Sequence, residues 1–273
     1  MVRRGLVTSR EAARRLIVDR QVLVAGSFAD KPARMVATDQ AITLSAPPPP
    51  FVSRAGLKLA GALDTFAVDP AGLNCLDAGS STGGFTDCLL QRGAKRVVAV
   101  DVGTNQLHES IRADLRVEVK EQTDIRAISQ ADVGGPFELV VGDLSFISLR
   151  LVLATLADLT AQQGHLLLLV KPQFEAGRQA VSRGKGVITD PDIWRSTVTE
   201  VLATATEVSL HPAGLVPSSI RGTRGNVEFV AWLTKQPSTI SGSPEVDSLV
   251  ETAVTRASNA ARQESEEDDA SSQ

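Results

Sequence analysis

A short glycine-rich segment between two apolar segments constrains the fold of this chain most strongly. It reads C-L-D-A-G-S-S-T-G-G-F, and the apolar segment before its turn, Leu73 to Asp77, predicts a β-strand. A helix-forming segment, Phe85 to Gln91, follows the turn and ends before Gly93, and a second strand-like segment runs from Arg96 to Asp101. This order predicts a β-α-β unit with parallel strands and a right-handed crossover, whose ligand binds beyond the carboxyl ends of the strands.

Length and composition allow one large core and a small additional module, and the alternation of strand-like and helix-like segments from Phe51 to about Lys235 predicts an α/β protein. The chain has 273 residues, of which 42% are apolar and 22% charged, so it can bury one large core. Its longest apolar runs are far shorter than the roughly 18 to 20 residues that a bilayer span needs, and residues 1–4 lead into no secretory segment. We therefore expect a cytoplasmic protein without a membrane partner.

The cysteines and histidines form no pattern that is typical of metal ligands. Cys75 and Cys88 form no C-x-x-C pair, and the three histidines lie far apart, without a cysteine or acidic partner at ligand spacing. We expect neither a structural disulfide nor a metal site.

Charge is distributed unevenly along the chain, whose net charge is -4. Residues 1–45 contain eight Arg and Lys residues against four Asp and Glu residues, whereas residues 237–273 contain two against eight. The basic end is where a polyanion would bind. A basic face that is only solvated is the alternative.

A helix with an arginine face and two short strands are predicted near the amino terminus. Thr8 to Glu11 form a capping box that opens the helix. The face away from its apolar side carries three arginines: Arg10, Arg14 and Arg15. Two strands follow, separated by a turn at Gly26 and Ser27: Gln21 to Val24 and Ala41 to Leu44.

The pattern V-R-R-G-L-x-x-S-R-x-x-A-x-x-L-I, followed by V-L-V-x-G-x-x-x-x-K-P, resembles the RNA-binding module named after ribosomal protein S-four. Such modules begin about ten residues earlier, so we expect either a start upstream of Met1 or a shortened module. We place this module at residues 1–46 and a stiff proline-rich linker at residues 47–52. The α/β domain is expected at residues 53–236. Residues 237–273 are expected to hold a helix near Pro244 to Arg262 and then a disordered acidic tail from Glu264.

The glycine-rich turn indicates the class of cofactor. Its spacing, G-x-x-x-G-G, differs from the G-x-G-x-x-G of dinucleotide-binding proteins, and it contains no lysine as a phosphate-binding P-loop would. Asp77, together with Asp101 at the end of the next strand, suits a cofactor with a positive charge and a ribose diol, and S-adenosylmethionine has both. Gly79, Gly83 and Gly84 let the backbone approach such a ligand closely, because no Cβ stands in the way. A tight turn in an unrelated α/β protein is the alternative.

Four charged residues next to apolar segments form a candidate catalytic site. Lys58 lies on a helix opened by Ser53, off its apolar face, and Asp143 follows the strand Phe137 to Gly142. Lys171 follows the apolar strand His165 to Val170, and Glu228 lies in the last strand. Because charged groups beside apolar segments are costly to desolvate unless paired, we expect these four to meet. Taken singly, each also fits a solvated strand end or a surface ion pair.

The order Lys, glycine loop, Asp, Lys, Glu resembles that of the FtsJ-like ribose 2'-O-methyltransferases. The segments S-R-A-G-L-K-L, D-L-S-F-I-S-L, V-K-P-Q-F-E and G-N-V-E-F further resemble the TlyA family of rRNA methyltransferases. The resemblance implies a Rossmann-like methyltransferase sheet and a catalytic tetrad of Lys58, Asp143, Lys171 and Glu228. The cofactor that it implies is S-adenosylmethionine, held by eight residues: Asp77, Ala78, Gly79, Ser81, Gly83, Gly84, Phe85 and Asp101. It also implies an adenine-side contact at Thr123 and Asp124, where the family commonly has T-N. Phe51, preceded here by prolines, stands where the family commonly has Trp or Tyr.

The implied substrate is a cytidine ribose in the RNA of the large ribosomal subunit, and the small subunit is left open as a second target. We expect a monomer that binds ribosomal subunits. A lysine can remove the hydroxyl proton when burial and a nearby cation lower its pKa, and we assign this role to Lys171, with Lys58 as the second cation. Further RNA contacts are predicted at Arg178, Arg183 and Lys185, in the loop beside the site, and at Arg221 and Arg224.

Four other functions remain as alternatives. N-methylating enzymes usually have an N-P-P-Y-type strand end where this chain has D-L-S-F. C5-methylating enzymes need a nucleophilic cysteine, but Cys88 falls on an apolar helix face and Cys75 inside a strand. A haemolysin label attached to the resembled family implies a membrane-damaging protein, which the short apolar runs argue against. The fourth is a ribosome-assembly factor that binds RNA and cofactor without catalysis, against which the complete tetrad argues.

Overall fold

The computed structural model describes residues 1–7, 10–18, 20–45, 49–177, 186–236 and 245–271 of the chain. For residues 11, 12, 15 and 265–271 it describes the backbone alone. The chain divides into two compact units, Met1–Pro50 and Phe51–Gln273. Within the described ranges, no helix is both long and apolar enough to cross a bilayer.

The smaller unit has a helix and a three-stranded antiparallel sheet around a small core. A 3-10 helix, Val2–Arg4, precedes α1 (Arg10–Val18). The three strands are β1 (Val22–Val24), β2 (Ser27–Phe28) and β3 (Ile42–Leu44), in the order β2-β1-β3. The core is formed by four buried residues: Leu16, Val22, Val24 and Ala29. The predicted turn at Gly26 and Ser27 is wrong by one residue, because Ser27 already pairs with Val24 in β2.

The larger unit contains a seven-stranded mixed sheet. Its strands are β4 (Asn74–Ala78), β5 (Arg96–Val100), β6 (Val117–Lys120), β7 (Phe137–Gly142), β8 (Thr160–Val170), β9 (His211–Pro217) and β10 (Phe229–Thr234). Their order is β6-β5-β4-β7-β8-β10-β9. The first five run parallel, whereas β10 is antiparallel to both β8 and β9. The strand order reverses beside β4, where sheets of this kind bind their ligands.

Helices cover both faces of this sheet. They are α2 (Ala55–Phe66), α3 (Gly84–Gln91), α4 (Glu109–Arg112), α5 (Gln130–Val133), α6 (Leu153–Leu159), α7 (Pro172–Glu175), α8 (Pro191–Glu207) and α9 (Val246–Ser271). Apolar residues of α2 and α3 form one buried cluster with the sheet, and those of α6, α8 and α9 form the other. The predicted α/β class, with helices on both faces of a largely parallel sheet, is confirmed.

The carboxy-terminal helix differs from its prediction in length and in place. The expected disorder from Glu264 is wrong as far as Ser271, because α9 continues to that residue. Val250 and Val254 lie in the same core as the sheet, so this helix belongs to the larger unit. Once packing has fixed the first turns of a helix, further residues extend it at little cost, even when they are polar.

Candidate active site

Lys58 reaches the site from a helix that begins close to the glycine-rich turn. The helix α2 starts at Ala55, and Arg54 precedes it without a side-chain cap, so the predicted capping by Ser53 is wrong. The physical reason is that the Ser53 hydroxyl packs against Gly84. A Cβ at residue 84 would overlap this hydroxyl and lie 3.0 Å from the Gly56 amide nitrogen. Lys58 lies on the buried side of α2 with 8% of its surface exposed. The first turn of α2 therefore packs directly on the first residue of α3.

Four charged side chains converge at the carboxyl ends of the central strands. The Lys58 Nζ lies 2.6 Å from Glu228 Oε2 and 3.7 Å from Asp143 Oδ2. The Lys171 Nζ lies 2.6 Å from Asp143 Oδ1. The arrangement is a chain of ion pairs, Glu228 to Lys58 to Asp143 to Lys171, in which Asp143 contacts both amines. The structure thus brings together the four residues that the sequence predicted to meet.

The strand geometry explains this convergence. Asp143 comes directly after β7 and Lys171 directly after β8, and these two strands are parallel neighbours. Glu228 was predicted inside the last strand but lies one residue before β10, which is antiparallel and therefore starts at the same edge. Gly222 leaves room for its carboxylate, because a Cβ at this position would lie 2.5 Å from Glu228 Oε1.

Sequence reasoning missed two residues that contact the four. The Lys171 Nζ donates a hydrogen bond to the Ser145 hydroxyl over 2.7 Å. The Gln173 amide nitrogen donates to Glu228 Oε1 over 3.1 Å, while its Oε1 is buried and makes no hydrogen bond among the described residues. Each lies two residues after a predicted site residue, Asp143 or Lys171, so proximity to the motif was the available signal.

The glycine-rich turn lies directly beside Asp143. The Asp143 amide donates to the Ala78 carbonyl over 3.1 Å, and a Cβ on Gly79 would lie 3.2 Å from the Asp143 carbonyl oxygen. Gly79 and Gly83 have φ values of +83° and +93°, a backbone conformation that favours glycine. Asp101 supports the turn from the next strand, because its carboxylate accepts from the Ser81 amide over 2.8 Å and from the Gly103 amide over 2.7 Å.

Asp77 is fully buried beneath the turn. Its Oδ2 accepts from the Thr86 hydroxyl over 2.6 Å, whereas its Oδ1 is buried and has no hydrogen-bond partner among the described residues. Burial raises the pKa of Asp77 to about 7; the Thr86 hydrogen bond opposes this effect, and the charge of Asp143 adds to it. A buried acceptor without a partner is costly and fits a site that a ligand completes.

The remaining predicted cofactor residues occupy different environments. Ala78 and Phe85 are buried in the core, so Ala78 can offer a ligand only its backbone, and the Phe85 ring points into the α2 and α3 cluster. The Thr123 amide donates to the Asp101 carbonyl over 2.9 Å, which places this residue beside the end of β5. Asp124 begins a 3-10 helix, and its hydrogen bonds with Arg126 lower the pKa of this carboxyl to about 2.

The predicted RNA-binding residues are only partly described. Arg10 and Arg14 are exposed on α1. The side chain of Arg15, together with Thr8, Ser9, Arg178, Arg183 and Lys185, lies outside the described residues. Arg221 forms an ion pair with Glu264 of α9 over 2.6 Å.

The described residues offer neither a reactive thiol nor a cluster of metal ligands. Burial raises the pKa of both Cys75 and Cys88 to about 12, so neither thiol readily becomes the thiolate that a nucleophilic cysteine requires. No group of three or more His, Cys, Asp or Glu residues that could hold a metal ion occurs among the described residues.

Comparison with known proteins gives two matches to protein families. Residues 51–235 match the FtsJ-like methyltransferases, and residues 1–42 match the S4 domain. Over 237 residues the chain is 46% identical to the 16S/23S rRNA (cytidine-2'-O)-methyltransferase TlyA of Mycobacterium tuberculosis, a match that covers 86% of this chain and 88% of the relative.

Two further relatives match most of the chain. YqxC of Bacillus subtilis is 42% identical over 234 residues, covering 85% of this chain and 83% of the relative. A solved Streptococcus thermophilus structure with a haemolysin name is 37% identical, covers 97% of this chain and 95% of its own, and has a TM-score of 0.76. Because the methyltransferase match spans more than half of the chain and the relatives match most of its length, the chain belongs to the TlyA family of FtsJ-like methyltransferases.

Proposed function

We propose that this chain transfers a methyl group from S-adenosylmethionine to the ribose 2'-hydroxyl of a cytidine in ribosomal RNA. One observation carries the proposal: two amines and two carboxylates meet beside the glycine-rich turn, with Asp143 in contact with both lysines and with Gly79. The name of the Mycobacterium tuberculosis relative specifies this chemistry for that protein.

The residues of the turn fit such a cofactor. The buried Oδ1 of Asp77 lacks a partner, and the backbone at Gly79 and Gly83 carries no side chain. The Asp101 carboxylate, held by two backbone amides, can also accept from a ribose diol. When bound, S-adenosylmethionine supplies an electrophilic methyl group and a thioether leaving group. Asp77, Gly79, Ser81, Gly83 and Asp101 are the residues that would hold it, with Thr123 and Asp124 on the adenine side.

The tetrad supplies what a ribose hydroxyl lacks as a nucleophile. A 2'-hydroxyl attacks well only when its proton is removed, which a positioned base achieves. We assign Lys171 as this base, since its Nζ is held between Asp143 and Ser145. Lys58, held by Glu228, is the second cation and orients the hydroxyl oxygen. Asp143 keeps the two amines at one place, where Lys171 Nζ, as a neutral amine, would accept the proton of the sugar hydroxyl.

The amino-terminal unit provides a second point of contact with RNA. It matches the S4 domain and presents the exposed Arg10 and Arg14 on α1, where they can contact phosphates. We propose that the chain acts as a monomer on ribosomal subunits and that these arginines contribute sequence-independent affinity. Arg10→Ala combined with Arg14→Ala should weaken binding and reduce the salt slope, log K against log salt, by about 1 to 2. An unchanged slope in fluorescence anisotropy would contradict this role.

The decisive experiment maps the product. Ribosomal subunits that lack 2'-O-methylcytidine are incubated with the full chain and tritiated S-adenosylmethionine, and the labelled nucleotide is identified by mass spectrometry. The proposal expects a 2'-O-methylated cytidine. Label on a base would indicate a different methyltransferase, and RNA binding without any label would indicate a non-catalytic assembly factor.

A further inference from the structure

The loop after β7 contacts the segment after β8, Lys171 and α7, at both of its ends. Near β7, the loop residues Asp143 and Ser145 both contact Lys171. In the middle, the rings of Phe146 and Phe174 lie 5.3 Å apart. At the far end, the loop contacts Glu175, the last residue of α7. The tetrad residues Asp143 and Lys171 thus lie at one end of a closed arrangement whose other end is Glu175.

Glu175 is a buried carboxylate whose hydrogen bonds and ion pair, among the described residues, are all with the loop after β7. Only 5% of its surface is exposed. Its Oε1 accepts from the Leu149 amide over 2.7 Å, and its Oε2 accepts from the Ser148 hydroxyl. The Arg150 guanidinium lies 3.5 Å from Oε2 and also donates to the Glu175 carbonyl. A buried carboxylate with two hydrogen bonds and a cationic neighbour is well satisfied, and it fixes the groups that it contacts.

We infer that Glu175 is a positioning residue for methyl transfer, which acts by holding the loop that carries Asp143 and Ser145 against Lys171. The inference rests on the proposed function of the tetrad. Among the described residues, no hydrogen bond or ion pair joins Glu175 to a tetrad side chain, so its effect passes through the loop. Small displacements of reacting groups are costly, since misplacement by about 1 Å can lower a rate about 100-fold.

Three variants separate the contacts of Glu175. Glu175→Ala removes both acceptors and leaves the Leu149 amide hydrogen and the Ser148 hydroxyl hydrogen without an acceptor. Glu175→Gln keeps an acceptor for Leu149 and can donate to Ser148, so it should restore most of the activity. Ser148→Ala removes one of the two contacts, together with the hydrogen bond that the Ser148 hydroxyl accepts from the Arg150 amide, and should give an intermediate loss.

Glu200→Ala is the matched control. Glu200 is an exposed residue that pairs over 2.6 Å with Arg150 of the same loop, but among the described residues it forms no hydrogen bond with Ser148 or Leu149. Its removal should leave both turnover and cofactor affinity unchanged.

The test measures kcat on ribosomal subunits, the Kd for S-adenosylmethionine, and hydrogen exchange at the Leu149 amide, all on the full chain. We expect Glu175→Ala to lower kcat about 10- to 100-fold and to speed exchange at Leu149, with a Kd within twofold of wild type. Unchanged kcat, or a loss explained entirely by a smaller folded fraction, would overturn the inference, as would equal losses in Glu175→Gln and Glu175→Ala.

Failure of the proposed function has a different signature. In that case the wild-type chain itself would not methylate the subunits, and the exchange measurement would still report whether Glu175 holds the loop. An inactive wild-type chain, together with faster exchange at Leu149 in Glu175→Ala, would show that Glu175 holds the loop although the proposed function fails.

Discussion

One side of the candidate active site is formed mainly by backbone, whereas the other is formed by charged side chains. The cofactor side lies at the ends of β4 and β5 and consists mainly of backbone from one short segment, Asp77 to Gly83, steadied by Asp101. The catalytic side lies at the ends of β7 and β8 and the start of β10. It consists of charged side chains that come from positions as far apart as Lys58 and Glu228.

This difference predicts different sensitivity to mutation. On the cofactor side, adding a Cβ should do more damage than changing the chemistry of an exposed side chain, because the backbone itself forms the site. On the catalytic side, removing one charged group leaves its partner buried and unpaired, so side-chain chemistry decides the outcome. Four predictions test this contrast.

The largest effect is expected for Lys171→Ala. Methyl transfer should fall by about 10³-fold or more, because the variant lacks the group that takes the hydroxyl proton. The Kd for S-adenosylmethionine, measured by calorimetry, should stay within about threefold. Lys171→Arg is the matched control and should also be inactive, since an arginine stays protonated. Normal turnover in either variant would reject Lys171 as the base.

The second prediction concerns pH and Asp77. Burial raises the pKa of this carboxyl from 3.8 to about 7, so between these values the folded chain keeps a proton that the unfolded chain has lost. The free energy of unfolding should therefore fall as pH rises from about 4 to 7, by at most roughly 4 kcal/mol from this group. Urea unfolding at pH 4 to 8 should show a smaller fall for Asp77→Asn. Parallel curves for the two proteins would contradict this assignment.

The third prediction compares two glycines with similar backbone conformations. Gly83→Ala should weaken cofactor binding about tenfold, because φ is +93° and the added Cβ would lie 2.9 Å from a Leu107 methyl. Gly72 has φ +76° with nothing within 4 Å of an added Cβ, and it lies outside the turn. Gly72→Ala should therefore lower the free energy of unfolding by about 1 kcal/mol without changing the Kd for S-adenosylmethionine. Equal effects of both substitutions on the Kd would show that the turn does not contribute specifically to cofactor binding.

The smallest effect is expected for Asp124→Asn. Asp124 pairs with Arg126 at a largely exposed position, so the free energy of unfolding should change by less than about 0.5 kcal/mol. If Asp124 contributes to the adenine side, the Kd for S-adenosylmethionine should rise a few-fold. An unchanged Kd would remove this residue from the cofactor site.

Much of the sheet could be predicted because its segments carry local signals. The strand Phe137 to Gly142 and the β4-α3-β5 unit follow from apolar runs and glycine punctuation, and the structure has them within one residue. The meeting of Asp143 and Lys171 also follows, because residues after parallel strands lie at one edge of the sheet. Their catalytic role stays a prediction.

Other features depend on contacts between segments that are distant along the chain. Nothing local distinguishes Glu175, which looks like an ordinary helix residue until Leu149 and Ser148 pack against it. The extra strand length of β8, residues 160–164, begins with the pairing of Thr160 with Phe137 of β7 and has no clear apolar run. Gly84 was assigned to ligand approach, but the structure shows that the first turn of α2 occupies the space beside it.

That packing at Gly84 joins the two sides of the site mechanically. The turn that would receive the methyl donor continues into α3, and α3 begins at the residue on which the first turn of α2 rests. A shift of α3 on loading would displace Ser53 and Gly56, and with them the helix that carries Lys58. Cofactor binding at the turn would therefore change the position of the Lys58 amine on the catalytic side, through a contact in which residue 84 has no side chain.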